Sequence, residues 1–222
     1  MPHRGVNAGK SRLSSVLSDV ARGKLNRWLL ARTLKVVHTW LDKPPCCMVV
    51  SPCEVTLALA RKAGAVALPE QPSTAGLNDA LSQAAAHAES LGAQRLLILP
   101  CDLPRLDVAA LEAMQTTAAL GTLGTETVIA PDRHHEGTNA LLVDARVRAF
   151  AFGRNSLARH IAQSDARRVR SFPCLNAALA FDLDTAEDFA EWTGSDDVPQ
   201  EFLATLPRTA MRAADVITSR NK

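Results

Sequence analysis

A chain of 222 residues, 47% hydrophobic and 22% charged, is long enough to bury a core without disulfide or metal staples, so one α/β domain is the starting expectation. Aromatic residues make up 4% with no Tyr, which makes that core aliphatic, and no apolar run approaches the roughly 18–20 residues of a membrane span. The net charge of +2 is too small to signal nucleic acid, and the first residues, with His3, Arg4 and Lys10 but no apolar block, are no secretion signal. A cytoplasmic protein is expected. The charge is nevertheless uneven: residues 1–43 carry Arg4, Lys10, Arg12, Arg22, Lys24, Arg27, Arg32, Lys35 and Lys43 against Asp19 and Asp42. That end suits an anion, with a solvated helix face as the alternative. Cysteines at 46, 47, 53, 101 and 174 are odd in number and form no C-x-x-C pair, which reads as reduced packing thiols.

In chain order, Leu25, Leu29, Thr33 and Val37 recur every four positions behind Ser18, a suitable N-cap, and predict an amphipathic helix over 18–41. Short apolar runs then alternate with helical stretches: strand 47–51, helix 54–62, strand 65–68, helix 77–91, strand 95–100, helix 107–117. Such alternation argues βαβ units and a parallel sheet. Strands at 127–131 and 139–143, a helix over 156–163, a strand near 169–172, a strand over 178–184 and a short helix carrying Glu187, Asp188 and Glu191 complete the pattern. The sheet is expected to become mixed at its later strands. Residues 1–193 form the predicted domain, and 194–222 a tail with helical pieces near 202–206 and 211–217.

Chemistry should gather at the strand ends, where open α/β sheets hold their ligands. Leu97-Ile98-Leu99-Pro100-Cys101-Asp102-Leu103-Pro104 is a buried strand ending in an acid that can hold a divalent cation between phosphate oxygens, or else a simple turn aspartate. Phe181-Asp182-Leu183-Asp184 alternates, so both acids point to one side, and carboxylates that converge repel unless a cation sits among them. Mg²⁺ is the economical cation; the alternative is that Asp184 or Thr185 simply caps the next helix. Gly137-Thr138-Asn139 offers donors and an acceptor to a small anion, as a hairpin loop also would. Gly153-Arg154-Asn155-Ser156 opens a helix whose first N–H groups, with the Ser156 hydroxyl, can cradle phosphate or carboxylate, unless Asn155 or Ser156 is only a cap. Gly9-Lys10-Ser11-Arg12 suits the β- and γ-phosphates of a nucleotide, although neither a Gly-x4-Gly-Lys loop nor a G-x-G-x-x-G is present.

Seven segments in order resemble the CofC family of guanylyltransferases, which act on 2-phospho-L-lactate, phosphoenolpyruvate or 3-phospho-D-glycerate. They are Lys10-Ser11-Arg12-Leu13, Gly76-Leu77-Asn78, Leu99 to Pro104, Ala130 to Arg133, Glu136 to Leu142, the Phe152-Gly153…Ser156…His160 stretch, and Asp182-Leu183-Asp184-Thr185. The resemblance implies a MobA-like nucleotidyltransferase: a Rossmann-like three-layer α/β/α sandwich with a mixed, mostly parallel sheet. It implies Mg²⁺ on Asp102, Asp182 and Asp184, the acid held by Thr138, Asn139, Gly153 and Ser156, and the nucleotide met by Lys10, Arg12, Asn78 and Asp102. Asp102, Lys10 and Arg12 form the expected catalytic set. GTP and a small phosphorylated acid are the expected partners, with no nucleic acid and no membrane and with a homodimer open. Another MobA-like transferase, acting on molybdopterin or a sugar phosphate, and a non-catalytic nucleotide-binding relative are the alternatives. Three departures stand out. The family's first apolar strand has at most Pro2-His3-Arg4 in its place, His135 stands where glycine is usual, and the tail has no counterpart. The expectation from the first is a chain that begins upstream of Met1, or a form of low stability that binds GTP weakly.

Overall fold

A computed structural model describes residues 1–6, 8–41, 47–121, 124–195 and 198–203. A 3-10 turn at Ser11–Leu13 leads into α1 (Asp19–Trp40), which begins where Ser18 accepts a hydrogen bond from the Ala21 amide. β1 (Met48–Ser51), α2 (Glu54–Lys62) and β2 (Val66–Pro69) form one right-sized crossover, with β1 and β2 parallel. α3 (Leu77–Ser90), β3 (Arg95–Ile98) and α4 (Val108–Ala119) follow, α4 capped by Asp107. β4 (Thr127–Pro131), β5 (Thr138–Asp144), α5 (Ser156–Ala166) and β6 (Ser171–Pro173) lead to α6 (Ala177–Ala180), α7 (Ala186–Thr193) and α8 (Gln200–Leu203). Among the described residues no helix is long and apolar enough to cross a membrane.

The strands are ordered β3-β5-β4-β6, with β5 antiparallel to both neighbours and β4 parallel to β6. This is the mixed later sheet that the sequence predicts. Alternation along β4 assembles the sandwich: Val128 and Ala130 join the cluster holding Leu34, Leu111 and Met114 of α1 and α4, while Ile129 joins Leu81 and Ala85 of α3. Period-two side chains thus clothe both faces with helices. A third cluster packs Leu13, Leu25 and Leu29 against Phe189 and Trp192, and takes in Val198 and Phe202 from the segment assigned to the tail.

One expectation needs correction. Residues 178–184 do not form a strand: the Asn176 side chain accepts from the Ala178 and Leu179 amides and starts α6 instead. Residues 181–184 are an irregular connection, yet burial still alternates, with Phe181 and Leu183 inside and Asp182 and Asp184 partly exposed. At the other end, Met1 to His3 does run beside β1. The Met1 α-ammonium donates to the Met48 carbonyl at 2.8 Å, the Val50 amide to Met1, and the His3 amide to Val50, in a parallel bridge at Pro2. Burial lowers that ammonium's pKa. Beyond it, β1 and β3 are separated by an apolar cavity of about 550 Å³ that Met1, Leu81, Ala85 and Leu97 line. The free cysteines Cys47, Cys101 and Cys174 are buried and Cys53 is half-buried. Burial pushes Cys101 up to about 12, consistent with an inert packing thiol. Lys43, Cys46, the 211–217 helix and the end of the 202–206 helix beyond 203 lie outside the described residues.

Candidate active site

Backbone strain marks the entry to the site. Gly9 has φ 85° and Lys10 φ 51°, so the chain turns left-handed just before the 3-10 turn. That turn swings the Lys10 stem inward until its ammonium donates to the Leu183 carbonyl at 2.6 Å. The same nitrogen lies 3.8 Å from Asp102 Oδ2 and 3.6 Å from Asp184 Oδ1, with only 9% of the side chain exposed. Sequence reasoning put a cation in one loop and acids in two others; the fold makes Lys10 the cation between them. Arg12, next to it, is exposed.

The acidic segments are themselves pinned. The Leu183 amide donates to the Asp102 carbonyl at 3.0 Å, and Arg32 of α1 donates to the carbonyls of Pro104 and Leu106, fixing the loop after Asp102. This uses one residue of the basic N-terminal set for architecture. Asp188, 3% exposed, accepts from the Asp184 and Thr185 amides at 2.9 and 2.7 Å, completes a capping box with Thr185 and pairs with Arg133. Arg105 and Arg133 lie over the Phe181 ring at 3.9 and 5.0 Å. Sequence reading placed Asp188 on a helix but missed its hold on Asp184; the Thr185-x-x-Asp188 spacing was the available signal.

Electrostatically the site is short of positive charge. Burial raises the Asp102 carboxyl above its ordinary value, Lys10 pulls it back most and a backbone hydrogen bond adds to that, while Asp184 and Asp182 push it further up. Burial and then Asp184 likewise raise Asp182, opposed in part by Asn139. An added cation would relieve both. The donors are all hard oxygens, which fits Mg²⁺. Among the described residues no three His, Cys, Asp or Glu side chains are gathered closely enough to hold an ion alone. Mg²⁺ commonly needs only one or two carboxylates when substrate phosphates supply the rest. Asp102 and Asp184, converging on one point, are the pair that fits, with Asp182 beside them.

Lys10, Asp102 and Asp184 line one end of a cleft of about 560 Å³ whose other walls include His3, Arg4, Glu70 and Gly76. His3 is held down to about 4 by burial and then by Lys10, so it is neutral there.

Thr138 and Ser156 stand at two neighbouring element starts. Both are buried, at the start of β5 and of α5, and the Leu157 amide donates to the Glu136 carbonyl, tying the two element starts together. A Cβ at Gly137 would sit 2.7 Å from Asp132 Oδ2, so a side chain there would have to push the Asp132 carboxylate aside. Asn139 turns away from a free donor role, its amide hydrogens reaching the Leu179 and Ala180 carbonyls and, at 3.5 Å, Asp182. Asn78 makes a two-point pairing with the backbone of Phe152, accepting from its amide at 2.9 Å and donating to its carbonyl at 3.3 Å. It thereby braces the turn at Gly153, whose φ of 109° suits glycine. His160, one turn into α5, bonds to Thr138 at 2.9 Å. Its motif was visible in the sequence, but no role could be read for it.

This architecture is a nucleotidyltransferase fold. A cytidylyltransferase from Leptospira borgpetersenii shares it at a TM-score of 0.54 and 13% identity, with 87% of this chain and 84% of that one covered. The chain belongs to the family described as guanylyl transferase CofC like, which it matches over residues 1–214. It is 36% identical over 200 residues to a phosphoenolpyruvate guanylyltransferase of Rubrobacter xylanophilus, covering 89% of this chain and 94% of that protein. It is also 36% identical over 200 residues to a 3-phospho-D-glycerate guanylyltransferase of Phenylobacterium zucineum, covering 85% of each.

Proposed function

We propose that this protein is a cytoplasmic guanylyltransferase that transfers GMP from GTP to a small phosphorylated acid, releasing pyrophosphate, at an early step of coenzyme F-420 biosynthesis. Phosphoenolpyruvate and 3-phospho-D-glycerate are the favoured acceptors, because relatives at 36% identity carry those names; 2-phospho-L-lactate is the third. The observation that carries the reading is Lys10 held between Asp102 and Asp184 in the wall of a cleft of about 560 Å³.

In this reading a phosphate oxygen of the acid attacks the α-phosphorus of GTP and the bond to the β,γ-diphosphate breaks. A phosphate monoester loses its second proton near pH ~6, so the nucleophile is ionised at neutral pH without a general base. The site accordingly has to hold two anions in line and neutralise the charge that builds on the leaving diphosphate. Lys10 supplies a fixed positive charge, and Arg12, exposed two residues further along the chain, is assigned to the outer phosphates. Mg²⁺ held by Asp102 and Asp184, with Asp182 beside them, would supply Lewis-acid charge on the phosphate oxygens. Thr138 and Ser156, with the turn at Gly153, hold the acid through the two hydroxyls. Incubation with GTP, Mg²⁺ and each acid in turn, read by pyrophosphate release, tests the proposal. Turnover with one of the three is expected; no turnover with any, alongside turnover of a sugar phosphate or molybdopterin, would replace the reading by that alternative.

A further inference from the structure

The imidazole of His160 is bonded at both nitrogens. The residue is 2% exposed, its Nδ1 lies 2.9 Å from Thr138 Oγ1, and its Nε2 accepts the Ala151 amide hydrogen at 3.2 Å. An amide N–H can only donate, so Nε2 must be bare and the ring's proton must sit on Nδ1. The opposite tautomer would set two N–H groups against each other and leave the buried Ala151 amide unpaired, a costly arrangement. Nor can that amide turn away, because the next residue, Phe152, is held at both its amide and its carbonyl by Asn78. The Phe152 ring packs edge-on against the imidazole at 4.7 Å and completes its enclosure. Burial, then the charges of Arg159 and Arg167, hold His160 down to about 4, so a second proton does not compete at neutral pH.

The consequence falls on Thr138. Its oxygen takes the Nδ1 hydrogen, which leaves its own hydroxyl hydrogen to give. Were His160 the other tautomer, Thr138 would spend that hydrogen on Nδ1 and turn only lone pairs toward an anion. We propose that His160 is a positioning residue that fixes the polarity of the Thr138 hydroxyl, so that it donates to an anionic oxygen of the phosphorylated acid. This rests on the reading of Thr138 as an acid-binding residue. It adds that a histidine with no acid–base part in the reaction selects for an anion by locking a proton.

Two measurements test it. Imidazole ¹⁵N NMR on the full chain, with His160→Asn to assign the signal, should show Nδ1 protonated and Nε2 bare at neutral pH; the reverse pattern overturns the proposal without reference to activity. In kinetics with phosphoenolpyruvate or 3-phospho-D-glycerate, His160→Leu should raise the KM for the acid about tenfold or more, the scale of one lost hydrogen bond to an anion, and leave that for GTP unchanged. His160→Asn, which keeps an N–H donor where Nδ1 was, should recover most of the loss. His160→Leu should add nothing once Thr138 is already Val, whereas additive effects, or failure of Asn to rescue, would mean that His160 only packs. If Thr138→Val by itself leaves the KM for the acid unchanged, the acid-binding reading of Thr138 fails and this proposal with it. The NMR result then tells that failure apart from a wrong tautomer.

Discussion

Replacing Lys10 by Met removes the ammonium while keeping most of the stem. The hydrogen bond to the Leu183 carbonyl disappears, and hydrogen bonds to a charged group are worth ~1.5–3 kcal/mol. So do two ion pairs with partners that are 32% and 46% exposed, worth only ~0.2–1 kcal/mol each. Set against these is the relief of no longer burying a side chain that is 9% exposed, so the net loss of folding stability should be small, about 1–3 kcal/mol. Catalysis should suffer more: a preorganised charge aimed at the developing diphosphate is worth ~2.7–4 kcal/mol, or 10²–10³ in turnover. The acidic side of the pH profile carries a second signature. Lys10 pulls the Asp102 carboxyl down, so without it that acid ionises at higher pH. If ionised Asp102 is required, the acidic limb of kcat/KM must move to higher pH. Pyrophosphate release across pH and urea unfolding at pH 7 make the comparison. A folded variant with kcat/KM within about threefold of the wild type would be far inside the 10²–10³ loss argued here, and would refute the role of Lys10.

Asp102→Asn should reduce turnover by roughly 10³ or more while the protein stays folded, since it removes a charge at a strand end and no packed apolar group. Its stability should not fall. The carboxyl is raised in the folded state above its ordinary 3.8, so its stabilising contribution is present at low pH and is lost as pH rises through the folded value. At neutral pH the amide stands in for the protonated form; a lower melting temperature in the absence of nucleotide would contradict this. Thr138→Val and Ser156→Ala should raise the KM for the acid about tenfold with little change for GTP, and equal effects on both substrates would undo their assignment. Asn78→Ala separates two roles. If Asn78 acts by bracing Phe152 and Gly153, the acid KM rises and the protein loses about 1–3 kcal/mol for the unpaired amide and carbonyl; a change confined to the KM for GTP would instead favour direct contact with the nucleotide.

What the sequence determined by itself is what lies within a few residues along the chain. Ser18 and Asp107 announce helix starts because a cap and its amide are three residues apart, and α2 and β4 have the predicted bounds, 54–62 and 127–131. Local signals also mislead when an element is very short. Ala177–Ala180 is a single turn, too brief for helical periodicity, and its nucleation by Asn176 could not outweigh an apparent alternation over 178–184. The types of chemistry were legible as well, because an acid after a buried strand and a glycine before a helix carry their meaning locally. Convergence was decided by tertiary structure alone. Lys10 meets Asp102 and Asp184 only because α1 anchors the loop at Pro104 through Arg32, and Asp188 holds the Asp184 backbone from the far side. His160 is the sharpest case: from sequence it is one polar residue on a helix, and its proton is assigned only when β5 brings Thr138 to one nitrogen and the braced loop brings the Ala151 amide to the other. The two tautomers differ little by themselves, so the groups that fold against both sides of the ring settle the choice.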